Sequence, residues 1–477
     1  MAFNTLNYSL FLVAILMVTW SLARFQMLRL TILLLASYFF YMCSKPIYIL
    51  LIMGSTCVDY FCGKYIYQSQ SKGIRKFLLA TSLFSNLGLL ATFKYYDFFA
   101  LSIQQLLHNV GWLPVESTIP LLQVMLPVGI SFYTFQTMAY TIDIYRGNQV
   151  PIESPIKFAL FVSFFPQLVA GPIVHARELV PQLEKAPQVT SKQVSDGVFL
   201  MMKGLIKKVA IADWLALNLV DRVYDNPDVF SSGEVMIALY AYSMQIYCDF
   251  SGYTDLAIGS GKMFGYELPE NFNRPYMGTS VAKFWRRWHM TLSRWVREYI
   301  YFPLGGTHKG ETRAYLNIMI ALVVMGLWHG ANWTFFWYGV IHGMVVGVNR
   351  YHNQKRKRLG LPNEFHGFAL IWRIFLAFQF VTIARILFRA PSMENAWTIT
   401  QSLFTWDWSF GHIHWKIWAV LFVSYAIHWS PKHFVSDARD RFSDLPAVVQ
   451  GIILAVIGGW MVHLSNVQPV PFIYFQF

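Results

Sequence analysis

The sequence alternates long apolar runs with short polar segments over its whole length. Apolar runs of about 20 residues are typical of transmembrane helices. Candidate spans cover residues 8–23, 27–43, 46–63, 77–97, 119–141, 197–219, 234–256, 313–329, 332–349, 368–388, 415–430 and 447–465. Several fall short of the ~20 residues that a simple crossing needs, so we expect about ten to twelve transmembrane helices. The pattern predicts an all-α polytopic membrane protein, in which residues 1–477 form a single integral-membrane domain.

One apolar segment, residues 158–175, is interrupted by residues that break helices. It reads FALFVSFFPQLVAGPIVH and contains Pro166, Gly171 and Pro172. Broken backbone at membrane depth is tolerated only where protein buries it or where it lines a cavity. We therefore predict a re-entrant segment here rather than a complete crossing.

A second segment, residues 281–300, separates into two faces when it is placed on a helical wheel. Aromatic and aliphatic side chains fill one side, and His289 lies at the boundary beside Ser293. Five cations fall within an arc of ~100° on the other side: Lys283, Arg286, Arg287, Arg294 and Arg297. This pattern predicts an amphipathic helix at the cytoplasmic membrane interface. The same cations are suited to an anionic ligand, such as a phosphorylated acyl carrier or CoA.

Composition and charge agree with a membrane location. Of the 477 residues, 55% are hydrophobic and 13% are charged, whereas a soluble domain is about a quarter charged. A net charge of +13 is also found in nucleic-acid-binding proteins, but in a membrane protein basic residues mark cytoplasmic loops. Residues 350–358 form such a basic stretch, and the alternation of loops places the N-terminus outside. We predict no nucleic-acid partner.

His289 and His329 stand out among the thirteen histidines, because each directly follows a tryptophan in apolar surroundings. His329 lies in GLWHGANW, and Arg313 on the inner side precedes it by ~24 Å along a helix. An ionisable residue inside a membrane is energetically costly, and it therefore often marks a functional site. The alternative is a histidine whose hydrogen bonds are satisfied within the protein core, and the sequence leaves both interpretations open. A histidine in a tryptophan-walled pocket can act as a general base or hydrogen-bond donor, since imidazole titrates near neutrality. That chemistry suits transfer of an acyl group to a hydroxyl, which loses its proton as it attacks.

Other chemistries have less support in the sequence. Neither histidine has a second metal ligand three or four residues later, and the four cysteines show no paired spacing, so we predict no metal site. The glycines between Ser251 and Gly265 lack the spacing and the strand context of a phosphate-binding loop. Asp249 and Asp255, near the end of an apolar run, are expected to face a bundle interior or an aqueous cavity.

Five motifs, in order along the chain, resemble those of the membrane-bound O-acyltransferases (MBOAT). They are LPVGISFYTFQTMAYTIDIYRG, FPQLVAGPIVH, FSGYTDLAIGSGKMFGYELPENFNRPY, FWRRWHMTLSRWVREYIYFPLGG and GLWHGANWTFFWYGVIHG. The resemblance is nearest to the bacterial branch that O-acetylates exported polysaccharides. It covers nearly the whole chain, although after about Arg389 only the hydropathy is similar. Met290 and Thr291 stand where isoleucine and serine are expected from the family.

The resemblance implies a fold and a set of site residues. The family fold is a ring of tilted helices around a thin central region, where a cytoplasmic funnel and an extracytoplasmic funnel meet near the active histidine. The catalytic histidine of the LWHGA motif maps to His329, and the second important histidine, that of FWRRWH, maps to His289. We predict that a further group of side chains binds donor or substrate: Lys283, Arg286, Arg287, Trp328, Asn332, Asp255 and Ser293.

The resemblance also implies substrates, partners and location. The acyl donor is expected to be cytosolic acetyl-CoA or an acyl carrier, with no permanently bound cofactor. The acetyl group is expected to pass to a periplasmic acetyltransferase partner, or directly to a sugar hydroxyl of an exopolysaccharide such as alginate or cellulose. This places the protein in a bacterial inner membrane, with a role such as alginate biosynthesis.

Two other functions stay open at this point. One is an acyltransferase of the same fold with another cargo, either D-alanine for teichoic acid or acetyl groups for peptidoglycan. The other is a transporter, in which Asp249, Asp255 and residues 158–175 form a midplane site. A transporter predicts corresponding broken segments in two halves of the chain, and the sequence shows one such segment.

Overall fold

The computed structural model is built from α-helices, and it describes residues 3–114, 116–169, 171–362, 364–465 and 472–473. No β-strand occurs within these ranges. The chain divides into two compact units. The first comprises Met1–Gln188 with Phe264–Leu268, and the second comprises Val189–Met263 with Pro269–Phe477.

The first unit contains nine helices in its described residues. They are α1 (Leu6–Ser21), α2 (Gln26–Met42), α3 (Ile49–Gln68), α4 (Lys72–Leu90), α5 (Tyr96–Asn109), α6 (Ile130–Tyr145), α7 (Pro155–Ser163), α8 (Phe165–Leu168) and α9 (Ala176–Leu183). The buried carboxylate of Asp59 joins α3, α4 and α6, because it accepts hydrogen bonds from Asn86 Nδ2 (2.7 Å) and Thr141 Oγ1 (3.0 Å).

The second unit contains twelve helices in the part of the chain that the structure describes. They are α10 (Ser191–Leu205), α11 (Asp221–Asp225), α12 (Ser232–Met263), α13 (Val281–Trp285), α14 (Met290–Val296), α15 (Glu311–His329), α16 (Trp333–Arg358), α17 (Gly367–Arg389), α18 (Met393–Ser402), α19 (Trp415–Trp429), α20 (Lys432–Ser443) and α21 (Ala447–Ser465). Three π-helical stretches belong to the same unit: Ile206–Asp213, Ala216–Val220 and Arg297–Tyr301.

Four helical stretches among the described residues are long and apolar enough to cross a membrane, judged by length and composition. They are Pro46–Gln68, Lys72–Asn109, Glu311–His329 and Gly367–Arg389. Three shorter helices are also apolar: Leu6–Ser21, Gln26–Met42 and Ala447–Met461. The other predicted spans also contain helices, but these are too polar or too short to meet the same criterion. The count of about ten to twelve crossings therefore stays a prediction.

The predicted span 119–141 is wrong in its first half. The helix begins only at Ile130, and residues 121–127 adopt no regular structure. Gly129 lies in the left-handed region with a φ of 73°, directly before the first helical residue. Glycine adopts this conformation without a steric penalty, and a Cβ here would lie 2.5 Å from the carbonyl oxygen of Leu168.

Residues 158–175 are broken, as the prolines and glycine predict. α7 ends at Ser163, α8 follows after a turn at Phe164, and residues 171–175 are not helical. Nearly all described side chains of the segment are buried, which is the condition for irregular backbone at membrane depth. Its re-entrant course stays a prediction.

The prediction of one continuous helix over residues 281–300 is wrong. Residues 286–289 separate α13 from α14, and His289 adopts a left-handed backbone with a φ of 42°. A continuous right-handed helix excludes that conformation. The division into two faces persists, because Trp288 is buried while Lys283 is exposed. The apolar side chains are therefore covered by the protein itself.

Close packing of α15 and α16 fixes the end of α15, where His329 lies. A Cβ on Gly326 would collide with the carbonyl oxygen of Phe335, and a Cβ on Gly339 would lie 2.6 Å from the carbonyl oxygen of Leu322. The two helices thus approach backbone to backbone, with glycine on both sides of the contact. Small residues at helix interfaces allow this approach in membrane proteins.

Candidate functional site

His289 and His329 both contact the indole ring of Trp328. The ring centroids of His289 and Trp328 are 5.8 Å apart, and those of Trp328 and His329 are 5.1 Å apart, both edge to face. His289 is fully buried, and His329 is 2% exposed. His289 comes from the break between α13 and α14, and His329 is the last residue of α15. The structure thus brings together the two histidines that the sequence singled out.

Asn271 sets the orientation and the tautomer of the His289 ring. The Nδ1 atom of His289 lies 3.1 Å from Asn271 Oδ1, which also accepts hydrogen bonds from the backbone N–H of Thr291 (3.2 Å) and from its hydroxyl (2.9 Å). An amide nitrogen does not accept hydrogen bonds, so this atom is the oxygen. His289 Nδ1 therefore carries the hydrogen, and Nε2 carries the lone pair. Burial lowers the pKa of His289 to about 3, which keeps the ring neutral at physiological pH.

Aromatic side chains complete the surroundings of both histidines. Phe250 of α12 packs edge to face on His289, with the centroids 4.7 Å apart. Phe388 of α17 packs in the same manner on His329, with the centroids 5.1 Å apart. These rings give the site an apolar wall, where polar contacts to a reacting group are stronger than they are in water.

A buried arginine, Arg385 of α17, lies beside the same aromatic cluster. It is 1% exposed, and its Nη1 atom donates to the Tyr276 hydroxyl (2.6 Å) and to the Ser243 carbonyl oxygen (3.1 Å). Its guanidinium carbon lies 4.8 Å from the centroid of Trp288, the residue before His289. Sequence reasoning missed Arg385, although a charged residue inside a predicted span is itself a signal of function.

Lys208 links two carboxylates in the interior of the second unit. It is fully buried, and its Nζ atom lies 2.7 Å from Asp213 Oδ1 and 2.6 Å from Asp249 Oδ1. The other oxygen of Asp249 accepts a hydrogen bond from the backbone N–H of Ile473 (3.0 Å). Lys208 belongs to the π-helical stretch Ile206–Asp213, a type of helix that is frequent at functional sites. Sequence reasoning missed this lysine, which lies inside a predicted span, because Asp249 is 41 residues away, although Asp213 is only five residues from it.

Asp255, one of the predicted binding residues, is held by two other lysines. Lys203 Nζ lies 2.9 Å from Asp255 Oδ1, and Lys207 Nζ lies 2.7 Å from Oδ2. Lys207 also donates to Ser251 Oγ (3.1 Å). Asp249 and Asp255 are buried, in agreement with the expectation of an interior location. The ion pairs give Asp255 a structural role, and its donor-binding role stays a prediction.

Ser293 and Asn332 also make local structural hydrogen bonds. Ser293 Oγ donates to the carbonyl oxygen of Trp285 (2.9 Å) across the break between α13 and α14. Asn332 caps α16, since its Oδ1 accepts from the N–H of Thr334 (3.0 Å), and its Nδ2 donates to the Pro391 carbonyl oxygen (2.9 Å). These contacts support the backbone on both sides of the histidines. Substrate binding by either side chain stays a prediction.

The predicted cations differ from the histidines in their exposure. Lys283 and Arg286 are exposed and Arg287 is half-buried, whereas both histidines are buried. The cations are thus accessible to a soluble ligand. Among the described residues, no group of three or more histidine, cysteine, aspartate or glutamate side chains is placed to hold a metal ion.

The helices define an all-α, polytopic membrane protein, in which His329 is buried at the end of a helix that is long and apolar enough to cross a membrane. The model of the MBOAT, membrane-bound O-acyltransferase, family matches residues 149–388, which include both histidines and Arg385. The chain belongs to the membrane-bound O-acyltransferase family, and it is an acyltransferase. Membership of this family identifies the protein as an enzyme, so the transporter that the sequence left open is not supported.

Three relatives represent the named activities among similar proteins. The chain is 38% identical over 399 residues to “Peptidoglycan O-acetyltransferase” of Helicobacter pylori, covering 78% of this chain and 73% of the relative. It is 33% identical over 479 residues to “Probable alginate O-acetylase AlgI” of Pseudomonas putida, covering 95% of each. It is 29% identical over 287 residues to “Teichoic acid D-alanyltransferase” of Bacillus subtilis, covering 56% of this chain and 70% of the relative.

Proposed function

We propose that the protein moves an acetyl group from cytosolic acetyl-CoA, across a bacterial inner membrane, to a hydroxyl of an exported polysaccharide. The observation that carries the proposal is the contact of His289 and His329 with one buried tryptophan ring. The named activity of the Pseudomonas putida relative, which covers 95% of this chain, supports an exopolysaccharide such as alginate as the acceptor. A periplasmic acetyltransferase partner is the alternative recipient of the acetyl group.

The proposed reaction needs one base and one orienting group. The acceptor hydroxyl attacks the thioester carbonyl carbon, a C–O bond forms, and His329 takes the hydroxyl proton. The C–S bond then breaks, and the proton passes from His329 to the departing sulfur, which gives free CoA. His289 is the orienting group, since a ring whose pKa is about 3 is a weak base, while its Nε2 lone pair still accepts a hydrogen bond.

Substitutions of His289 test this division of roles. We expect His289→Gln and His289→Asn to keep part of the acetylation rate that His289→Ala loses, because an amide still donates to Asn271 Oδ1. Asparagine is the matched control for the backbone, since it tolerates the left-handed conformation better than alanine does. Initial rates with labelled acetyl-CoA measure the effect. Equal collapse in all three variants would instead assign proton transfer to His289, and wild-type rates in all three would exclude both roles.

The exposed cations are proposed to guide the phosphates of the donor. We expect Arg286→Gln with Arg287→Gln to raise the KM for acetyl-CoA by roughly 3- to 10-fold and to leave kcat almost unchanged, because exposed charges attract without touching the reacting atoms. The matched control is Arg356→Gln with Arg358→Gln, which removes two charges from the last turn of α16. An equal rise in KM for the control pair would reduce the effect to net charge alone.

The polymer is identified by mass spectrometry of exported material from cells with and without the gene. We expect O-acetyl groups on the exopolysaccharide to disappear when the gene is deleted and to return with the wild-type chain. The Helicobacter pylori relative makes peptidoglycan the second candidate acceptor, so the glycan strands are analysed in the same cells. Loss of acetyl groups from peptidoglycan alone would replace the exopolysaccharide in the proposal.

A further inference from the structure

Two arginines at the junction of α16 and α17 contact the same aromatic ring. The guanidinium carbon of Arg356, in the last turn of α16, lies 4.8 Å from the ring centroid of Phe365, and that of Arg373 in α17 lies 3.7 Å from it. Arg356 is also fixed by a hydrogen bond that its Nη2 atom donates to the carbonyl oxygen of Pro362 (2.5 Å). Two like charges are thus held close together by these three side chains, the junction cluster Arg356, Phe365 and Arg373.

The two charges of the junction cluster have no acidic partner in the part of the chain that the structure describes. Arg350, on the same helix as Arg356, pairs with Glu311 (3.2 Å). In contrast, Glu364, the nearest acidic residue in the sequence to Arg356 and Arg373, is exposed and pairs with neither. Both arginines are half-buried, so an anion from outside the protein has access to them. A phenyl ring attracts a cation but does not neutralise it, so the cluster favours an anionic ligand.

An exposed apolar surface adjoins the junction cluster at the start of α17. The side chains of Phe368, Ile371 and Trp372 are 78%, 65% and 49% exposed, and the rings of Phe368 and Trp372 stack with centroids 6.3 Å apart. α17 is long and apolar enough to cross a membrane, and Arg373 follows its first residue by about 9 Å along the helix. We therefore place the cluster where the headgroups of a bilayer meet the acyl chains, with the apolar surface against the chains.

The charges around the junction cluster indicate the leaflet and the kind of ligand. Positive residues concentrate on the cytoplasmic side of membrane proteins, and four of them form the last turn of α16: Lys355, Arg356, Lys357 and Arg358. A phospholipid of the cytoplasmic leaflet offers a phosphate to the arginines and hydrocarbon chains to the apolar surface. Acetyl-CoA has phosphates but no long hydrocarbon chain, so it fits only half of the site. A zwitterionic headgroup adds a cation, which the two arginines repel, whereas phosphatidylglycerol adds none.

We propose that the junction cluster binds the headgroup of an anionic phospholipid, whose phosphate contacts Arg356 and Arg373. Guanidinium groups form strong charge-assisted hydrogen bonds with phosphate oxygens. The bound lipid joins the end of α16 to the start of α17 and stabilises the packing of these helices. Both helices border the candidate site, since Gly339 of α16 packs on α15 and Phe388 of α17 contacts His329. The lipid site is separate from the acetyl-transfer residues, so binding is measured without activity.

Native mass spectrometry of the full-length chain, released from micelles that contain equal amounts of phosphatidylglycerol and phosphatidylcholine, measures which lipid is retained. We expect the wild type to retain phosphatidylglycerol over phosphatidylcholine by on the order of 10- to 30-fold, as two basic residues at an anionic membrane surface predict. Arg356→Gln with Arg373→Gln is expected to lose this preference. The matched control, Lys357→Gln with Arg358→Gln, removes two charges beside the junction cluster and is expected to keep it.

The midpoint of thermal unfolding gives a second measurement, and a parallel sample with excess inorganic phosphate separates a lipid from a free anion. We expect phosphatidylglycerol to raise the midpoint of the wild type and of the control pair, but not that of the junction-cluster pair. Equal retention of the two lipids by the wild type would overturn the inference. An equal loss of preference in the control pair would show a diffuse charge effect without a site. Inorganic phosphate that displaces the lipid and raises the midpoint equally would replace the lipid with a soluble anion.

Discussion

His329→Ala is expected to abolish acetyl transfer while the protein still inserts into the membrane. Loss of a general base typically lowers the rate by ~10²–10⁴-fold. The expected loss follows from the place of His329 at the end of α15, where its ring contacts Trp328 and Phe388. Transfer of label from acetyl-CoA to polymer measures the rate, and size-exclusion chromatography of the solubilised protein measures folding.

A second buried histidine provides the matched control for this experiment. His342 of α16 is fully buried, and its Nδ1 atom accepts a hydrogen bond from Trp285 Nε1 (3.2 Å), so a truncation there also leaves a cavity. We expect His342→Ala to lower the free energy of unfolding but to keep most of the transfer rate. Near wild-type activity in His329→Ala would make His329 a packing residue. Equal losses of transfer rate in the two variants would mean that the cavity, and not the loss of a general base, lowers the rate in His329→Ala.

Lys208→Met is expected to destabilise the second unit strongly. Methionine is close to lysine in size but has no charge, so Asp213 and Asp249 would lose the cation that holds them within 2.7 Å of one nitrogen. Removing one partner of a buried ion pair costs about 3–5 kcal/mol, because the remaining charge has no compensation. The midpoint of thermal unfolding in detergent measures the loss.

The neighbouring lysine offers a control of the same size. In Lys207→Met, Asp255 keeps its second ion pair, the one with Lys203 at 2.9 Å. We therefore expect a clearly smaller drop in the unfolding midpoint for Lys207→Met than for Lys208→Met. Similar drops would mean that the two carboxylates at Lys208 are stabilised by other groups. Lys208→Met combined with Asp249→Asn is expected to recover part of the stability.

Most of the predicted spans correspond to helices of this chain, several of them to within a few residues. The predicted span 313–329 corresponds to α15, and 368–388 corresponds to α17. The method failed over residues 119–129, which are apolar but contain prolines and a left-handed glycine. Hydropathy reports whether a segment is stable in an apolar environment, whereas the start of a helix depends on backbone geometry. Pro120, Pro127 and Gly129 mark this break in the sequence itself.

The site was predictable where its chemistry is local in sequence. The tryptophan beside each histidine drew attention to His289 and His329, and the structure places Trp328 against both. The left-handed backbone of His289 was not predictable, because it depends on Asn271, which binds the His289 ring from eighteen residues away and Thr291 from twenty. The helical wheel assumed an unbroken helix and therefore placed His289 on a boundary instead of in the interior.

The lysine–carboxylate pairs and Arg385 show a second reason why the sequence did not predict the whole site. Counting basic residues treats each lysine or arginine as evidence for a cytoplasmic loop. Lys208 and Arg385 break that rule because both lie in apolar segments and are buried. Their partners, Asp249 for Lys208 and Tyr276 for Arg385, lie 41 and 109 residues away in the sequence. Only a three-dimensional structure identifies such partners, although the charges themselves were visible.

The glycine contact between α15 and α16 has a consequence for reading genetic screens. A bulkier residue at Gly326 or Gly339 would force the two helices apart and would displace the ring of His329, less than one helical turn beyond Gly326. We expect a strain with such a lesion to lose the proposed polymer acetylation and to be scored with mutants of His329, the proposed catalytic histidine, although the altered glycine does not contact the substrate. Alleles at these glycines are therefore separable from alleles at His329 by the thermal stability of the purified protein, because the clash is with backbone atoms of the opposing helix, which no smaller side chain there can relieve.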